Sequence, residues 1–528
     1  MMLRWTTLLL AAAGLLSLTA PTFAETAADD TVLTEVRSRL STAAPSSDER
    51  DRKDREALIA FYAAHHGSGL WISGTALKPE ATALTAAIKD AKAYGLDAKD
   101  FRLPKMDGSA LASTSPDALA EAELQFSTAA LLYARHARGG RIANPTEMLN
   151  SNLDRRPQWI EPKDVLDGLA AATDPAAYLV SLHPKHPQFE RLRQAYVAAL
   201  PTGDKPMPLS AAAKRLRANM EMWRWMWTDM GDLHVFNNIP EFIQRVYKDG
   251  HVIRSEKIVA GMIDKQSSVF SRPLKYVVLR PQWRVPESIK VNELWPSLLR
   301  GGGLMRQYGL QLESKDGRPL DWRAIDWSKA DIRSYEVTQS PGPKSVLGHV
   351  KFSFPSQHTI YMHDTPDKWM FRSAQRTLSH GCLRVQKPME LAEIILKEDK
   401  GWDAAKVADV SRSGRLNNEI AIDKEIPIHL VYFTAWVDDT GRLQTFRDVY
   451  GHEKRVTQAL DGQWDKINKG RDHLAPVQPN FSPAAVAART PANGAYPAGY
   501  PGGQPVPRAR QKSATLGDIM SDALGLGF

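Results

Sequence analysis

The hydrophobic period of this sequence changes once, near Asp232, and that change constrains the fold more than any other feature. From Arg55 to about Thr228 the apolar residues recur three and four positions apart, the pattern of a helix with one buried face. After Asp232 apolar and polar residues alternate, as they do in strands. The sequence therefore predicts an α+β multidomain protein, with an all-α scaffold domain over residues 25–232 and a β-rich domain over residues 233–455.

One segment inside the β-rich domain does not follow the alternating pattern. Residues 296–344 have weak periodicity and many turn residues, among them Gly301-Gly302-Gly303 and Pro341-Gly342-Pro343. Connections of this length are uncommon inside a compact domain and usually serve as lids or binding inserts. We therefore expect a lid insert at about 296–344.

The two ends of the chain differ in composition from the rest. Residues 1–24 contain Arg4, the apolar stretch Trp5–Leu18 and small residues at Thr22–Ala24, which together predict a cleaved export signal. The apolar stretch is too short to span a bilayer, and we expect no transmembrane segment in the mature form. Residues 456–528, which become rich in Pro, Ala and Gly, are predicted to be a disordered tail.

Composition excludes several classes of protein. A single Cys among 528 residues rules out an internal disulfide framework and any zinc site built from several thiolates. The net charge of +8 is spread along the chain without a basic block, so nucleic acid is not an expected partner of an exported chain. No convergent set of ligands indicates a metal site.

Met and Trp residues crowd the last helix of the predicted scaffold and admit two interpretations. Their aromatic faces could stack on sugar rings, forming a carbohydrate-binding surface. Alternatively the helix is buried against the next domain, which apolar residues on nearly every face favour. The residues concerned are Met220, Met222, Trp223, Trp225, Met226, Trp227 and Met230.

The lone cysteine lies in a setting that favours chemistry over packing. A single Cys is ordinarily an inert small hydrophobe. Here its neighbours are His and Gly, it would be exposed to oxidants after export, and His363 ends a strand-like segment upstream. An imidazole activates a thiol for attack, and backbone N–H groups beside a Gly can face a developing oxyanion. The motif predicts acyl transfer through a thioester and reads Ser379-His380-Gly381-Cys382-Leu383-Arg384.

The residues alone leave the general base open between two histidines. In an extended segment His380 and Cys382 would be two positions apart and point to the same side, which slightly favours His380. His363 is the alternative, since it would return a proton to an amine leaving group and later deprotonate the incoming amine.

At this motif the chain resembles the L,D-transpeptidase family, whose signature is a His followed after about fifteen residues by Ser/Thr-His-Gly-Cys. The resemblance spans roughly residues 233–455, and the helical region before it resembles the scaffold domain of the large periplasmic members. Further matching segments are Phe236–Pro240, Arg245–Tyr247, Pro281–Pro286, Lys351–Pro355, Tyr361–Pro366 and Phe446–Tyr450.

The resemblance implies a role for each residue of the motif. Cys382 would be the nucleophile and His363 the general base and acid. His380, Gly381 and Cys382 would shape the oxyanion site, while Ser379 and Arg384 would line the acyl-donor groove. The insert would cap the substrate, and the protein would act in the periplasm without a cofactor.

The resemblance also implies the substrate and leaves the acceptor open. The donor would be a peptidoglycan tetrapeptide stem that loses D-Ala, and a diaminopimelate amine on a second stem would accept it, giving a 3→3 cross-link. The same chemistry with an outer-membrane protein amine would anchor that protein, and with water would hydrolyse the stem. A non-catalytic wall-binding scaffold is the alternative from another class.

The sequence departs from the large members of the family at the insert. Glu336 stands where they often carry Arg, and Ser345 where they often carry Asn. We expect these departures to affect substrate or acceptor preference and not the chemistry. No segment resembles the small peptidoglycan-binding module that many large members carry.

Overall fold

The structure, a computed structural model, describes residues 23–42, 46–105, 115–202, 207–480 and 482. Residues 1–22, and so nearly all of the predicted export signal, lie outside the described residues. No helix in this described part is long and apolar enough to cross a membrane. The chain divides into two compact units, Met1–Arg138 with Trp159–His183, and Gly139–Gln158 with Pro184–Phe528.

The first unit is helical, as the sequence predicted. Proline at the first turn begins several of its helices, where a missing N–H costs nothing. Its core contains the carboxylate of Glu123, which accepts hydrogen bonds from the Tyr62 hydroxyl and from the Leu70 and Trp71 N–H groups. Its helices are Phe23–Thr42, Glu49–Ala64, Pro79–Lys89, Pro116–Gly139, Pro162–Ala171 and Pro175–Ser181, with a small hairpin of β1 (Ile72–Ser73) and β2 (Ala76–Leu77).

The second unit contains the β-rich region together with helices that precede it in the sequence. Its helices are Pro145–Met148, Pro187–Ala198, Ala211–Trp223, Glu287–Ile289, Trp295–Leu299, Gly303–Gln307, Pro388–Lys400, Ala404–Ser413 and His452–Leu460, with a π-helix at Lys290–Leu294. The order of a helical region and then a β-rich region confirms the predicted α+β class.

The helix Ala211–Trp223 packs on the strands that follow it. The Trp223 ring stacks on Phe433, with ring centroids 4.4 Å apart, and Asn219 bonds Thr434 at 2.9 Å. Most of the crowded Met and Trp side chains are buried, namely Met220, Met222, Trp223, Trp225 and Met226. The interpretation that this helix is buried against the β-rich part is therefore confirmed, and the carbohydrate-stacking surface is not supported.

The strands of the main sheet are β3 (Leu233–Asn238), β4 (Ile243–Lys248), β5 (His251–Gly261), β6 (Ser271–Pro273), β7 (Tyr276–Leu279), β12 (Val350–Ser353), β13 (Met362–His363), β14 (Thr377–Ser379), β15 (Leu383–Val385), β16 (Asn418–Ala421) and β17 (Pro427–Val431). They follow the order β16-β7-β12-β13-β15-β5-β4-β3-β17-β6, with β14 parallel to β5. The Asp249-Gly250 turn joins β4 to β5. Strand β13 runs parallel to β15 and pairs His363 with Arg384, which brings the two halves of the sequence motif side by side.

The insert forms a small folded body with its own core. Its strands are β8 (Trp283–Arg284), β9 (Leu310–Glu313), β10 (Pro319–Leu320) and β11 (Glu336–Gln339), in the order β10-β9-β11-β8. The core runs from Trp283 to Leu347, so the folded body is wider than the expected 296–344. Its elements are too short for a hydrophobic period to be read from the sequence, because each contributes at most three core residues. A last hairpin pairs β18 (Ala435–Val437) with β19 (Leu443–Thr445).

The expectation of a disordered tail beginning at residue 456 is wrong for residues 456–480. Helix His452–Leu460 crosses that boundary and buries Val456, Ala459 and Leu460. Asp461 then accepts from Lys214 at 2.6 Å, and the chain remains in contact with the second unit as far as Asn480. This helix precedes the Pro-rich stretch and has an apolar face of its own. Residues 483–528 lie outside the described residues.

We expect Ile332→Ala to loosen the insert selectively. Ile332 is fully buried in the insert core, and truncating a buried Ile costs about 2–5 kcal/mol. Hydrogen–deuterium exchange should quicken in peptides from residues 283–347 and stay unchanged in the main sheet. Ile263→Ala, at a side chain that is 60% exposed, serves as the matched control. Unchanged exchange in the insert would contradict a cooperative core there.

Candidate active site

Cys382 lies on a tight turn between β14 and β15. Gly381, at φ +115°, occupies a conformation that L side chains rarely adopt, and an added Cβ would lie 3.4 Å from the Gln266 carbonyl. The Ser379 hydroxyl donates to the Cys382 carbonyl at 2.6 Å and accepts from the Gly381 N–H at 3.2 Å. The Ser267 hydroxyl holds the Gly381 carbonyl at 2.6 Å. Two serines and one glycine therefore fix the backbone on which the thiol is presented.

The two amides expected to face an oxyanion are not equivalent in this turn. The Gly381 N–H already donates to Ser379. Within the described part of the chain, the Cys382 N–H donates to no protein acceptor. The Cys382 amide is thus open to a substrate oxygen, and the Gly381 amide becomes available only if the Ser379 hydroxyl releases it.

His380 does not lie where an extended segment would place it. The turn at Gly381 directs its ring toward Glu293, with Nε2 to Oε1 at 2.8 Å, and Lys265 reaches the same carboxylate at 2.8 Å. Burial opposes ionisation of Glu293, but His380 and Lys265 outweigh it and hold its pKa at about 2. Burial lowers the pKa of His380 itself. The expectation that His380 and Cys382 point to the same side of an extended segment is therefore wrong, and so is the geometric preference for His380 as the general base.

His363 ends β13 with one nitrogen engaged and one open. Its Nδ1–H donates to the Asp364 carbonyl, which leaves Nε2 as the nitrogen able to accept a proton. Burial, followed by the positive charge of Arg384, lowers its pKa to about 3. Among the hydrogen bonds of the described residues, none joins His363 to Cys382. The structure brings the two to neighbouring strands without pairing them.

The Cys382 thiol contacts a tyrosine that the sequence reasoning did not single out. Tyr361 lies two residues before His363, on the same side of the chain. It hydrogen-bonds the Cys382 sulfur, and the Trp283 side chain hydrogen-bonds the Tyr361 side chain. Lys351 Nζ lies 4.7 Å from the centroid of the Tyr361 ring. Burial raises the pKa of the Cys382 thiol to about 11, against the smaller opposing effect of Tyr361. The two-residue spacing from His363 was the signal that could have found Tyr361.

Thr359 supplies the remaining contact of the sulfur. Its carbonyl oxygen accepts from Cys382 Sγ at 3.9 Å. Thr359 has φ +52°, and a β-branched residue in this region is an outlier that the surrounding structure must hold in place. No sequence pattern indicated this residue, because the strain arises from tertiary contacts.

Arg384 is directed into the domain. It is only 5% exposed, and it donates to Asp367 at 3.1 Å. Burial lowers its pKa, against the opposing effect of Asp367. A role in the acyl-donor groove stays a prediction for both Arg384 and Ser379, whose contacts here hold the site together from within.

The two departures from the family pattern lie inside the insert and bond within it. Glu336 pairs with Lys315 at 2.7 Å and lies 3.8 Å from Lys290. Ser345 is buried in a turn, where its N–H donates to the Gly342 carbonyl. In the described ranges, no group of three or more His, Cys, Asp or Glu side chains could hold a metal ion.

Comparison with known families agrees with this arrangement. Residues 232–407 match the family described as the L,D-transpeptidase catalytic domain, and residues 56–195 match the family described as the scaffold domain. The chain carries an L,D-transpeptidase catalytic domain. Cys382, His363 and all four other candidate residues of the motif fall within the matched range.

Individual relatives agree with the family match over part of their length. A Haemophilus influenzae protein named "Putative L,D-transpeptidase" is 32% identical over 241 residues, which are 45% of this chain and 48% of that protein. The chain thus matches about half the length of this curated relative. An L,D-transpeptidase structure from Mycobacterium smegmatis aligns with 38% of this chain and 58% of its own at 13% identity and a TM-score of 0.18, too low to inform the fold.

We expect alkylation of the L,D-transpeptidase domain's Cys382 by iodoacetamide to become faster with pH until about pH 11. With the thiol pKa at about 11 and the His363 pKa at about 3, both groups are neutral near neutral pH. Only the thiolate reacts, so the rate follows its fraction. Cys382 is the only cysteine of the sequence, so the mass of the alkylated protein reports on this thiol alone. A plateau of the rate near neutral pH would instead indicate a resting ion pair.

Folding stability serves as an independent check on the same thiol pKa. The folded thiol keeps its proton to a higher pH than the unfolded thiol, whose pKa is ~8.5. This contribution to stability is complete below that value and is lost as the pH rises toward about 11. The Cys382→Ala variant lacks this alkaline loss, so the difference between the two unfolding curves isolates the thiol.

Proposed function

We propose that this protein is a peptidoglycan L,D-transpeptidase of the periplasm that forms 3→3 diaminopimelate cross-links through a thioester on Cys382. The observation that carries the proposal is the turn that presents the Cys382 thiol beside its own open amide, with His363 Nε2 open on the neighbouring strand. The match of residues 232–407 to the L,D-transpeptidase catalytic domain supports the same chemistry.

The first half-reaction acylates the cysteine. Cys382 Sγ attacks the carbonyl between diaminopimelate and the terminal D-Ala of a tetrapeptide stem, and its proton passes to His363 Nε2. The Cys382 N–H stabilises the oxyanion, joined by the Gly381 N–H when Ser379 releases it. The carbon–nitrogen bond then breaks, and His363 gives the proton to the D-Ala amine as it leaves.

The second half-reaction transfers the acyl group. A diaminopimelate amine of another stem attacks the thioester, and His363 Nε2 takes a proton from that amine. The carbon–sulfur bond breaks, the thiolate regains a proton, and a new amide joins the two stems. No cofactor takes part in either step.

Because the Cys382 thiol and the His363 imidazole are both neutral in the free enzyme, bound substrate helps to activate the thiol. With a thiol pKa of about 11, free enzyme holds little thiolate at neutral pH. Attack and proton transfer to His363 therefore proceed together on bound substrate, where the oxyanion donors offset the developing charge. The Tyr361 hydroxyl also stabilises negative charge on the sulfur.

The test is to incubate the purified full chain with disaccharide-tetrapeptide and to analyse the products by mass spectrometry. We expect a cross-linked dimer with release of D-Ala. Cys382→Ala abolishes both, and His363→Ala slows them about a hundredfold or more, the size of a general acid–base contribution. His251→Gln, at an exposed histidine of the β5 strand, is the matched control. A folded wild-type protein that yields neither product would contradict the proposal.

The acceptor distinguishes the proposed reaction from two others with the same acyl-enzyme. A protein amine as acceptor would anchor outer-membrane proteins to peptidoglycan, and water would shorten the stem. Muropeptides from a deletion strain separate these cases: loss of 3→3 dimers supports cross-linking, whereas loss of protein–peptide adducts with intact dimers favours anchoring.

A non-catalytic wall-binding scaffold is the alternative from a different class. Carbapenem labelling of wild type but not of Cys382→Ala would exclude it, because labelling requires a reactive thiol. Absence of labelling in both proteins would favour the scaffold.

A further inference from the structure

Beyond helix His452–Leu460 the chain runs back across the second unit, and we call residues 469–480 the C-terminal strap. At its start, Asn150 Nδ2 donates to the Lys469 carbonyl at 2.6 Å. Near its end, Val477 packs against the insert core and the Asn480 N–H donates to Asn292 at 3.1 Å. Asn292 precedes Glu293, the partner of His380. The strap is therefore attached close to the cysteine site at more than one point.

The middle of the strap enters a continuous chain of hydrogen bonds. Asp154 Oδ2 lies 2.9 Å from His358 Nε2, and His358 Nδ1 lies 2.7 Å from His473 Nε2. His473 Nδ1 lies 2.9 Å from the Ser151 hydroxyl. The His358 side chain has no exposed surface, and the two imidazole rings lie 4.8 Å apart between centroids.

Donors and acceptors along this chain match when both histidines are neutral. The Asp154 carboxylate accepts from His358 Nε2–H, and His358 Nδ1 accepts from His473 Nε2–H. His473 Nδ1 accepts from the Ser151 hydroxyl, whose oxygen also accepts the His473 backbone N–H. A donor on His473 thus completes the hydrogen bonding of a fully buried imidazole, and such completeness is what makes a buried polar network rigid.

This network ends next to the candidate nucleophile. His358 is followed by Thr359, whose strained φ of +52° directs its carbonyl to within 3.9 Å of Cys382 Sγ. The other polar contacts of this loop are long: the His358 and Thr359 N–H groups each donate to Ser356 at 3.3 Å, and Gln357 Nε2 donates to Asp154 at 3.3 Å. A strained conformation persists only where its surroundings over-determine it, and the two histidines supply that restraint.

We propose that His473 is a positioning residue of the cysteine site: by bonding His358, it holds the Thr359 carbonyl against the Cys382 thiol. The inference rests on the proposed function only in taking Cys382 as the reacting group. A carbonyl that accepts from the thiol favours its protonated form and fixes the direction of Sγ. Loss of the His473 donor should therefore ease ionisation of the thiol while impairing its orientation for attack.

The test uses the full chain with a cysteine isotope label on Cβ, whose single NMR signal comes from Cys382. We expect His473→Phe to lower the pH midpoint of that signal by about half a unit, the low end of one hydrogen bond. The same variant should slow acyl transfer to tetrapeptide. His473→Gln, which restores an N–H donor at similar reach, should return the midpoint to the wild-type value. His251→Phe, at an exposed histidine, should leave the midpoint unchanged.

A purely structural role for His473 would give a different result. The melting temperature would then fall while the midpoint in the folded variant stays at the wild-type value, and the proposal would be overturned. Equal midpoints for the Phe and Gln variants would overturn it as well. Ser151→Ala removes the partner of His473 Nδ1 and of its backbone N–H but leaves the imidazole in place, so it provides a milder variant in case His473→Phe does not fold, with a smaller shift in the same direction expected.

The NMR titration does not depend on catalysis, so the two proposals fail separately. A wild-type protein without transpeptidase products, but with the His473-dependent midpoint, would overturn the proposed function alone. Wild-type products together with an unmoved midpoint would overturn the positioning role alone.

Discussion

The backbone turn at Gly381 is the constraint on which the rest of the site depends. At φ +115° it reverses the direction that an extended chain would take, and only glycine adopts this conformation at little cost. The turn directs the two neighbouring side chains apart: His380 faces Glu293, and the Cys382 thiol contacts Thr359 and Tyr361, which precede β13. Ser379 and Ser267 then lock it through the two carbonyls that the turn exposes.

Burial without direct ion pairing keeps the reacting groups neutral. The thiol pKa is raised to about 11 and that of His363 lowered to about 3, both chiefly because burial disfavours the charged forms. Of the full charges nearby, Glu293 pairs with Lys265 and Arg384 with Asp367, while Lys351 Nζ lies over the Tyr361 ring. The two ion pairs hold the framework around the turn, and the proposed proton exchange would take place between the two neutral groups.

Features set by residues that are close together in the sequence could be predicted, and features set by contacts between distant segments could not. The change of period near Asp232 and the short motif around Cys382 are local patterns, and both the α+β order and the catalytic-domain match agree with them. The insert core and the strap were not predictable, because each of their short elements carries too few apolar residues to show a pattern before the elements pack together. The same holds for His473, which meets His358 from more than a hundred residues away, and for the strained Thr359 that follows His358. Tyr361 is the intermediate case, because its spacing from His363 could have placed it at the site.

The contacts that hold the cysteine turn come from three separate parts of the chain, and one of these parts belongs to the insert. Ser267, Glu293 and Thr359 each reach the turn from a different part of the chain. Glu336 and Ser345, by contrast, bond Lys315 and Gly342 within the insert. Substitutions at these two positions can therefore change the insert without touching the cysteine turn, whereas a substitution of Glu293 reaches His380 directly. Under the proposed function, the Glu336–Lys315 pair therefore bears on which substrate is preferred, and the Glu293–His380 pair bears on the geometry of the turn that presents the thiol.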